Sequence, residues 1–373
     1  MKIAIVQFYP YHEEVMAPQI DFLLPGNNLF IAAPSSVLQN DYISFFSKQI
    51  TPIEFKENVF KGNKIINFFF RIFSIVCKYF QIYKAHKKKC FDLIIFNTIN
   101  KPFHFIFIRS FFNNINKIHI IHNSDHYLSQ KKFKSLYLFK KNLFISNNVY
   151  EYFIGRINNL ADPFFFDWFL PTLSGIPLEN NIPNVLLSSK INIVVPGSVH
   201  DYRRNYSGLF DALKSLAAQE FPFTVILLGK MSSEKQDEIN SIGLGHVIKS
   251  FTNYIPGRDM LYYIKNADAV AFLIDPKIGD DFQLYNKYKA SGSSILCLSF
   301  GTPCIVSDHF TVDRDLTEKA ITYPGTHIEC VFNDILSGKI TKELLKKLKD
   351  IPLPYQYSHD YQKKHYRKLI GVE

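Results

Sequence analysis

The chain has 373 residues, 47% of them hydrophobic, which is too long for one typical core and too apolar for disorder, so two domains are expected. A formal charge of +10 favours anionic partners without choosing among nucleic acid, a membrane surface and a phosphorylated small molecule. Residues 65–83 are the most hydrophobic long stretch, yet Arg71 and Lys78 interrupt it, and nothing supplies the ~20 uninterrupted apolar residues of a spanning helix.

The opening run MKIAIVQFYP reads as a first strand, not a signal peptide, because it lacks a basic leader, a long apolar core and a cleavage site. Short β-type runs then alternate with helical patterns, which argues for parallel sheets covered by helices. Strands are expected at 2–8, 29–33, 92–97, 117–122 and 142–146, each ending in polar or turn-forming residues. Open parallel sheets hold their ligands at those carboxyl ends. Residues 60–89 carry Phe and Ile at helical spacing together with Lys61, Lys64, Arg71, Lys78, Lys84, Lys87, Lys88 and Lys89. This basic amphipathic helix either packs on the sheet with a solvated lysine face or rests on anionic lipid.

Over 162–192 the pattern dissolves into Pro163, Pro171, Pro177 and Pro183 with Gly175 and Asn180, which marks an expected interdomain boundary. The same alphabet then restarts. Strands are expected at 191–195, 223–228, 247–250, 269–274 and 303–307, and helices at 206–219, 232–242, 260–266 and 293–301. The fold class is therefore α/β, with two doubly wound domains facing across a cleft. Cys77, Cys90, Cys297, Cys304 and Cys330 form no C-x-x-C pair and no Cys/His cluster at zinc spacing, so they read as reduced core thiols of a cytoplasmic protein.

The strongest local signal is Val195-Pro196-Gly197-Ser198 leading to Arg203-Arg204-Asn205-Tyr206. Gly197 permits a sharp turn, and Arg203 or Arg204 at the mouth of the next helix can grip phosphate oxygens beside its dipole. A second signal is Lys289-Ala290-Ser291-Gly292-Ser293-Ser294, a hydroxyl-bearing turn that caps an apolar helix closed by Gly301-Thr302-Pro303. Free N–H groups there, with the Ser291 and Ser293 hydroxyls, would point at a shared anion.

On these motifs the chain resembles the GT-B glycosyltransferases, specifically the retaining family 4 and its relatives that build bacterial surface polysaccharides such as lipopolysaccharide or capsule. The resemblance covers most of the chain. It implies an N-terminal acceptor-binding domain over 1–175, a nucleotide-sugar-binding domain over 190–350, and a last helix in 351–373 that crosses back to the first domain. It puts Arg204, seven residues after Gly197, on the donor pyrophosphate, with Ser198 where the family often has a second arginine. Phe251-Thr252-Asn253-Tyr254-Ile255-Pro256 looks like the loop at the nucleotide base. The family's paired glutamates are missing, since Tyr288 and Leu296 stand at their positions. Lys289, Ser291, Gly292 and Ser293 are expected to serve the pyrophosphate end instead.

The first half offers the proton-transfer groups. Tyr9-Pro10-Tyr11-His12-Glu13-Glu14 follows the first strand, and Glu14 or His12 can act as a base. His122-Asn123-Ser124-Asp125-His126 follows the strand at 117–122, where a His beside an Asp can shuttle a proton near neutral pH. The resemblance puts His122 against the donor sugar, so Glu14, His122 and Asp125 are the catalytic candidates. No cofactor is expected, and no metal either: Asp280-Asp281 is adjacent rather than spaced, and Asp313-Arg314-Asp315 lies beyond the donor loops. No RNP, KH, helix-turn-helix or zinc motif supports a nucleic-acid partner. The expected partners are a nucleotide sugar, a glycan or lipid-linked acceptor, and an anionic membrane surface met through 60–89. A nucleotide-sugar epimerase of the same fold is the first alternative, and a basic nucleic-acid-binding protein the second.

Overall fold

The computed structural model describes every residue except 11, 56–63, 98, 100, 129, 158–164, 179–184, 201–203, 217–218, 275–284, 286 and 373. The chain divides into two compact units, Met1–Pro171 with Asp360–Glu373, and Thr172–His359.

The first unit is built on a seven-stranded parallel sheet. Its strands are β1 (Lys2–Gln7), β2 (Asn28–Pro34), β3 (Ile50–Phe55), β4 (Leu93–Asn97), β5 (Asn116–Ile121), β6 (Lys141–Phe144) and β7 (Phe166–Trp168), in the order β3-β2-β1-β4-β5-β6-β7. The central strands are apolar on both faces because helices cover both. Ile3, Ala4, Ile5 and Val6 of β1 are fully buried, and Ile5 lies opposite Ile31 on one side and Ile95 on the other. Strand order reverses between β1 and β4, so the segments that follow β1, β4 and β5 gather at a switch point of the sheet.

The second unit repeats the plan with six parallel strands: β8 (Ile191–Pro196), β9 (Phe223–Lys230), β10 (Ile248–Phe251), β11 (Ala269–Ala271), β12 (Cys304–Ser307) and β13 (Ala320–Tyr323). Their order is β10-β9-β8-β11-β12-β13, which places the reversal between β8 and β11. Ile193, Val195, Val225, Leu227 and Leu213 fill one core cluster, in which Phe223 stacks on Phe332 at 4.9 Å. Both sheets are thus doubly wound and Rossmann-like.

Four expectations change. Part of the supposed boundary at 162–192 is β7, and Phe169, Leu170 and Leu173 beyond it are buried; pairing to β6 overrides the proline-rich composition. β3 carries Pro52 and a Glu54 that pairs with Ser35, a polar edge-strand pattern that periodicity alone misses. Only Cys297 and Cys304 are core thiols, whereas Cys77, Cys90 and Cys330 are exposed. The helix Lys64–Lys89 turns phenylalanine as well as lysine to solvent: Phe69, Phe73 and Phe80 are 66%, 62% and 46% exposed. Residues 60–63 of the expected helix lie outside the described residues.

The final helix, His359–Ile370, belongs to the first unit over most of its length. Gln362 accepts from the Leu170 N–H at 2.8 Å, the Tyr366 hydroxyl donates to Gln19 at 3.2 Å, and Arg367 donates to the Phe22 and Pro25 carbonyls. No described helix is long and apolar enough to cross a membrane.

Candidate functional site

Gly197 ends β8 with φ 95°, a left-handed turn that only glycine adopts without strain. The turn also needs space. A Cβ on Gly229, in the neighbouring β9, would stand 2.1 Å from the Gly197 carbonyl oxygen, so a second glycine lets the two backbones touch. After the turn, Asn205 caps the helix Tyr206–Ser215 by accepting from the Gly208 N–H at 2.9 Å. The Tyr206 hydroxyl reaches back to the carbonyls of Gly197 and Ser198, both at 3.4 Å. Arg204 is thereby held beside the glycine, its Nη1 3.0 Å from where a Gly197 side chain would begin.

Ser291 caps the helix Gly292–Phe300, accepting from the Ser294 N–H at 3.4 Å. Gly301, with φ 66°, closes it. Arg204 Nη2 donates to the Ser293 hydroxyl at 3.3 Å, which joins the two strand-to-helix junctions of this sheet. The Arg204 Nε is buried without a hydrogen-bond partner. A buried guanidinium donor left unmatched costs roughly 1–3 kcal/mol or more. It sits next to a helix N-terminus, whose own N–H groups and dipole attract negative charge. A phosphate oxygen would satisfy both.

Other expected contacts are arranged differently. Lys289 lays its amine over the Tyr285 ring at 4.8 Å, and Ser198 is exposed. Arg203 lies outside the described residues. Tyr254, 67% exposed, and the buried Ile255 line a pocket of about 360 Å³ with Phe251, Asn253, Asp259 and Tyr263. Sequence reasoning missed Gly229, for which a glycine in a strand was the available sign.

In the first unit, His12 caps the helix Glu13–Leu23 from a left-handed conformation, φ 72°. For a residue other than glycine this costs of order 1–3 kcal/mol. Its carbonyl accepts from Val15 and Met16, and its Nδ1 stands 3.3 Å from a Glu14 carboxylate oxygen. The ring lies 4.2 Å from that of His122, in the segment after β5. His122 is buried and neither ring nitrogen has a partner; burial pushes its pKa well down, and His12 and His119 add to that. Burial would raise the Glu14 carboxyl, but the hydrogen bond and charge of His12 outweigh it and the net shift is downward. Asp125 is exposed in the short helical turn Asp125–Tyr127, and it is His12, not Asp125, whose ring meets His122.

The loop before His12 is tied to the long basic helix. Lys78 donates to the Phe8 carbonyl at 3.2 Å, and the Tyr9 and Tyr79 hydroxyls flank the two nitrogens of buried His104 at 3.2 and 2.9 Å. The opposite face of that helix bears the exposed phenylalanines, with Lys84 over the Phe80 ring at 4.6 Å.

No cluster of three or more His, Cys, Asp or Glu fit to hold a metal occurs among the described residues. Asp280 and Asp281 lie outside them, and Asp315 accepts a hydrogen bond from Tyr357 at 2.5 Å.

No protein-family model and no curated protein matches the chain. Solved structures do. A glycosyltransferase from Rickettsia africae ESF-5 aligns over 100% of this chain and 99% of its own, with TM-score 0.63 and 14% identity. The lipopolysaccharide outer core galactosyltransferase WaaB, in its apo form, aligns over 100% and 99% with TM-score 0.58 and 16% identity. A UDP-GlcNAc 2-epimerase from Neisseria meningitidis, bound to UDP-GlcNAc, aligns over all of both chains with TM-score 0.63 and 12% identity. At such identities the likeness is one of fold, and the fold is GT-B.

Proposed function

We propose that the protein is a glycosyltransferase, moving a sugar from a nucleoside diphosphate sugar to a saccharide or lipid-linked acceptor in bacterial surface polysaccharide synthesis. The observation that carries this reading is the meeting of Arg204 with Ser293, beside an unmatched Arg204 Nε. There the guanidinium and the N–H groups that open the helix Gly292–Phe300 take up the charge of the departing diphosphate. This charge stabilisation comes from fixed donors, so the reaction is expected to run without a metal ion and to survive EDTA. The pocket beside Tyr254 takes the base. On the acceptor side, Glu14, His122 and Asp125 are the proton-transfer candidates.

The exposed phenylalanines and lysines of the helix Lys64–Lys89 support peripheral attachment at the cytoplasmic face of an anionic membrane, where lipid-linked acceptors are held. The decisive measurement is calorimetric titration of the full chain with UDP, GDP, ADP and dTDP. At least one should bind and Arg204→Ala should abolish that binding; four flat titrations would end this reading. Because the Neisseria epimerase shares the fold, incubation with UDP-GlcNAc alone decides the second reading: an epimerised sugar would favour an epimerase.

A further inference from the structure

The sugar-nucleotide reading leaves the base open, and the pocket at the end of β10 narrows it. We infer that the base is guanine, so that the donor is a guanosine diphosphate sugar, and that Asp259 is the residue that selects it; this rests on the sugar-transfer reading above.

The pocket and the Arg204 junction belong to one sheet of one unit. β8 ends at Pro196, next to Gly197, and β10 ends at Phe251, with β9 between them. All three strands run parallel, so both carboxyl ends lie on the same edge of the sheet. Neighbouring strands stand about 4.8 Å apart, which separates the two ends by ~10 Å, a gap that a ribose bridges.

The pocket holds about 360 Å³, within the range of about 300–1,000 Å³ usual for small ligands. Tyr254 offers an exposed ring and Ile255 a buried apolar wall, and both suit the flat face of a base. Neither tells one base from another. The polar lining does. Asp259 is the only charged side chain among the described lining residues. It stands in the first turn of the helix Gly257–Asn266, whose dipole favours the carboxylate form. Burial, and then the charge of Asp259, raise the pKa of the Tyr263 hydroxyl, which places the carboxylate near that buried residue. Ser250 donates its hydroxyl proton to Gln236, so its oxygen is left to accept.

Acceptors on the protein call for donors on the base. Guanine alone among the common bases carries two adjacent donors, N1–H and the N2 amino group, at the spacing of the two oxygens of a carboxylate. Uracil and thymine flank their single N–H with carbonyls, and the second carboxylate oxygen would face one of them. Adenine and cytosine set an acceptor ring nitrogen beside the amino group, with the same repulsion. A carboxylate accepts several hydrogen bonds, so a contact made within the protein leaves room for the base.

The test is calorimetric titration of the full chain with GDP, UDP, ADP and dTDP, and with inosine and xanthosine diphosphates. GDP should bind at least ~100-fold tighter than UDP, ADP or dTDP. Inosine diphosphate, which lacks only the N2 amino group, should bind ~10-fold more weakly than GDP. Neither comparison needs a variant. In Asp259→Asn the side-chain amide can donate to the C2 carbonyl of xanthine while its oxygen accepts from N1–H, so the variant should prefer xanthosine diphosphate to GDP, a gain that a merely structural aspartate would not yield. Another common nucleoside diphosphate binding as tightly as GDP, inosine diphosphate matching GDP, or a variant that still prefers GDP to xanthosine diphosphate would each overturn the guanine assignment and leave the sugar-nucleotide reading standing. A chain that binds none of the six removes that reading first, and this one with it.

Discussion

Arg204 and Ser293, 89 residues apart in the chain, meet through a 3.3 Å hydrogen bond from guanidinium Nη2 to hydroxyl oxygen. The contact pairs a cation on one strand-to-helix junction with the first turn of a helix on another, and the adjacent Nε stays buried and unmatched. Replacing Arg204 with Ala should therefore cost ~100-fold or more in turnover and most of the nucleoside diphosphate affinity, with the fold intact. Calorimetry and circular dichroism on the variant check both halves of that statement.

Gly229 gives an independent test of the same site from the neighbouring strand. Its Ala variant would press a methyl to 2.1 Å from the Gly197 carbonyl oxygen, and the turn must move. We expect a loss of about 1–3 kcal/mol in stability. Nucleoside diphosphate affinity should drop with it, by at least ~10-fold, because Arg204 rides on that turn. Urea unfolding and titration with the nucleotide measure the two effects.

These junctions were legible in the sequence because glycine turns and serine caps are local signals. Gly197, Ser291 and Gly301 each announce a backbone geometry that their immediate neighbours complete. Gly229 was not, since its reason lies in the backbone of another strand. The His12–His122 contact was hidden likewise: sheet order, not spacing in the chain, brings the ends of β1 and β5 together. The phenylalanine face of the helix Lys64–Lys89 was masked by abundance. In a chain with 36 Phe, helical spacing cannot say which of them the sheet will cover.

That face should bind lipid. Phe69, Phe73 and Phe80 are exposed beside Lys84, Lys87 and Lys88, and each lysine near an anionic surface contributes ~1 kcal/mol. The protein is expected to float with phosphatidylglycerol vesicles at low salt. The triple variant Phe69→Ser, Phe73→Ser, Phe80→Ser should remain with the soluble fraction, and flotation undiminished by these changes would rule the face out.

Acid should weaken the first unit. Burial, with the charge of Lys78, drives the His104 pKa down to about 3, and burial drives His119 to about 3 as well. Between pH 6.5 and 3 the unfolded chain holds protons that the folded one refuses, so stability is intact above that window and lost as pH falls through it. The slope is about 1.4 kcal/mol per pH unit for each histidine. Urea midpoints at pH 7.5 and 5.5 should show the loss, and a His104→Gln, His119→Gln pair should flatten it.

The Tyr9–His104–Tyr79 bridge and the Lys78 bond to Phe8 fasten the loop before His12 to the inner side of the helix whose outer side is phenylalanine. The helix is therefore a ruler as much as a wall. Whatever surface its outer side rests on, the height of the imidazole above that surface is set by one helix diameter and these few bonds, and a substrate anchored in the same plane would need a stalk of matching length.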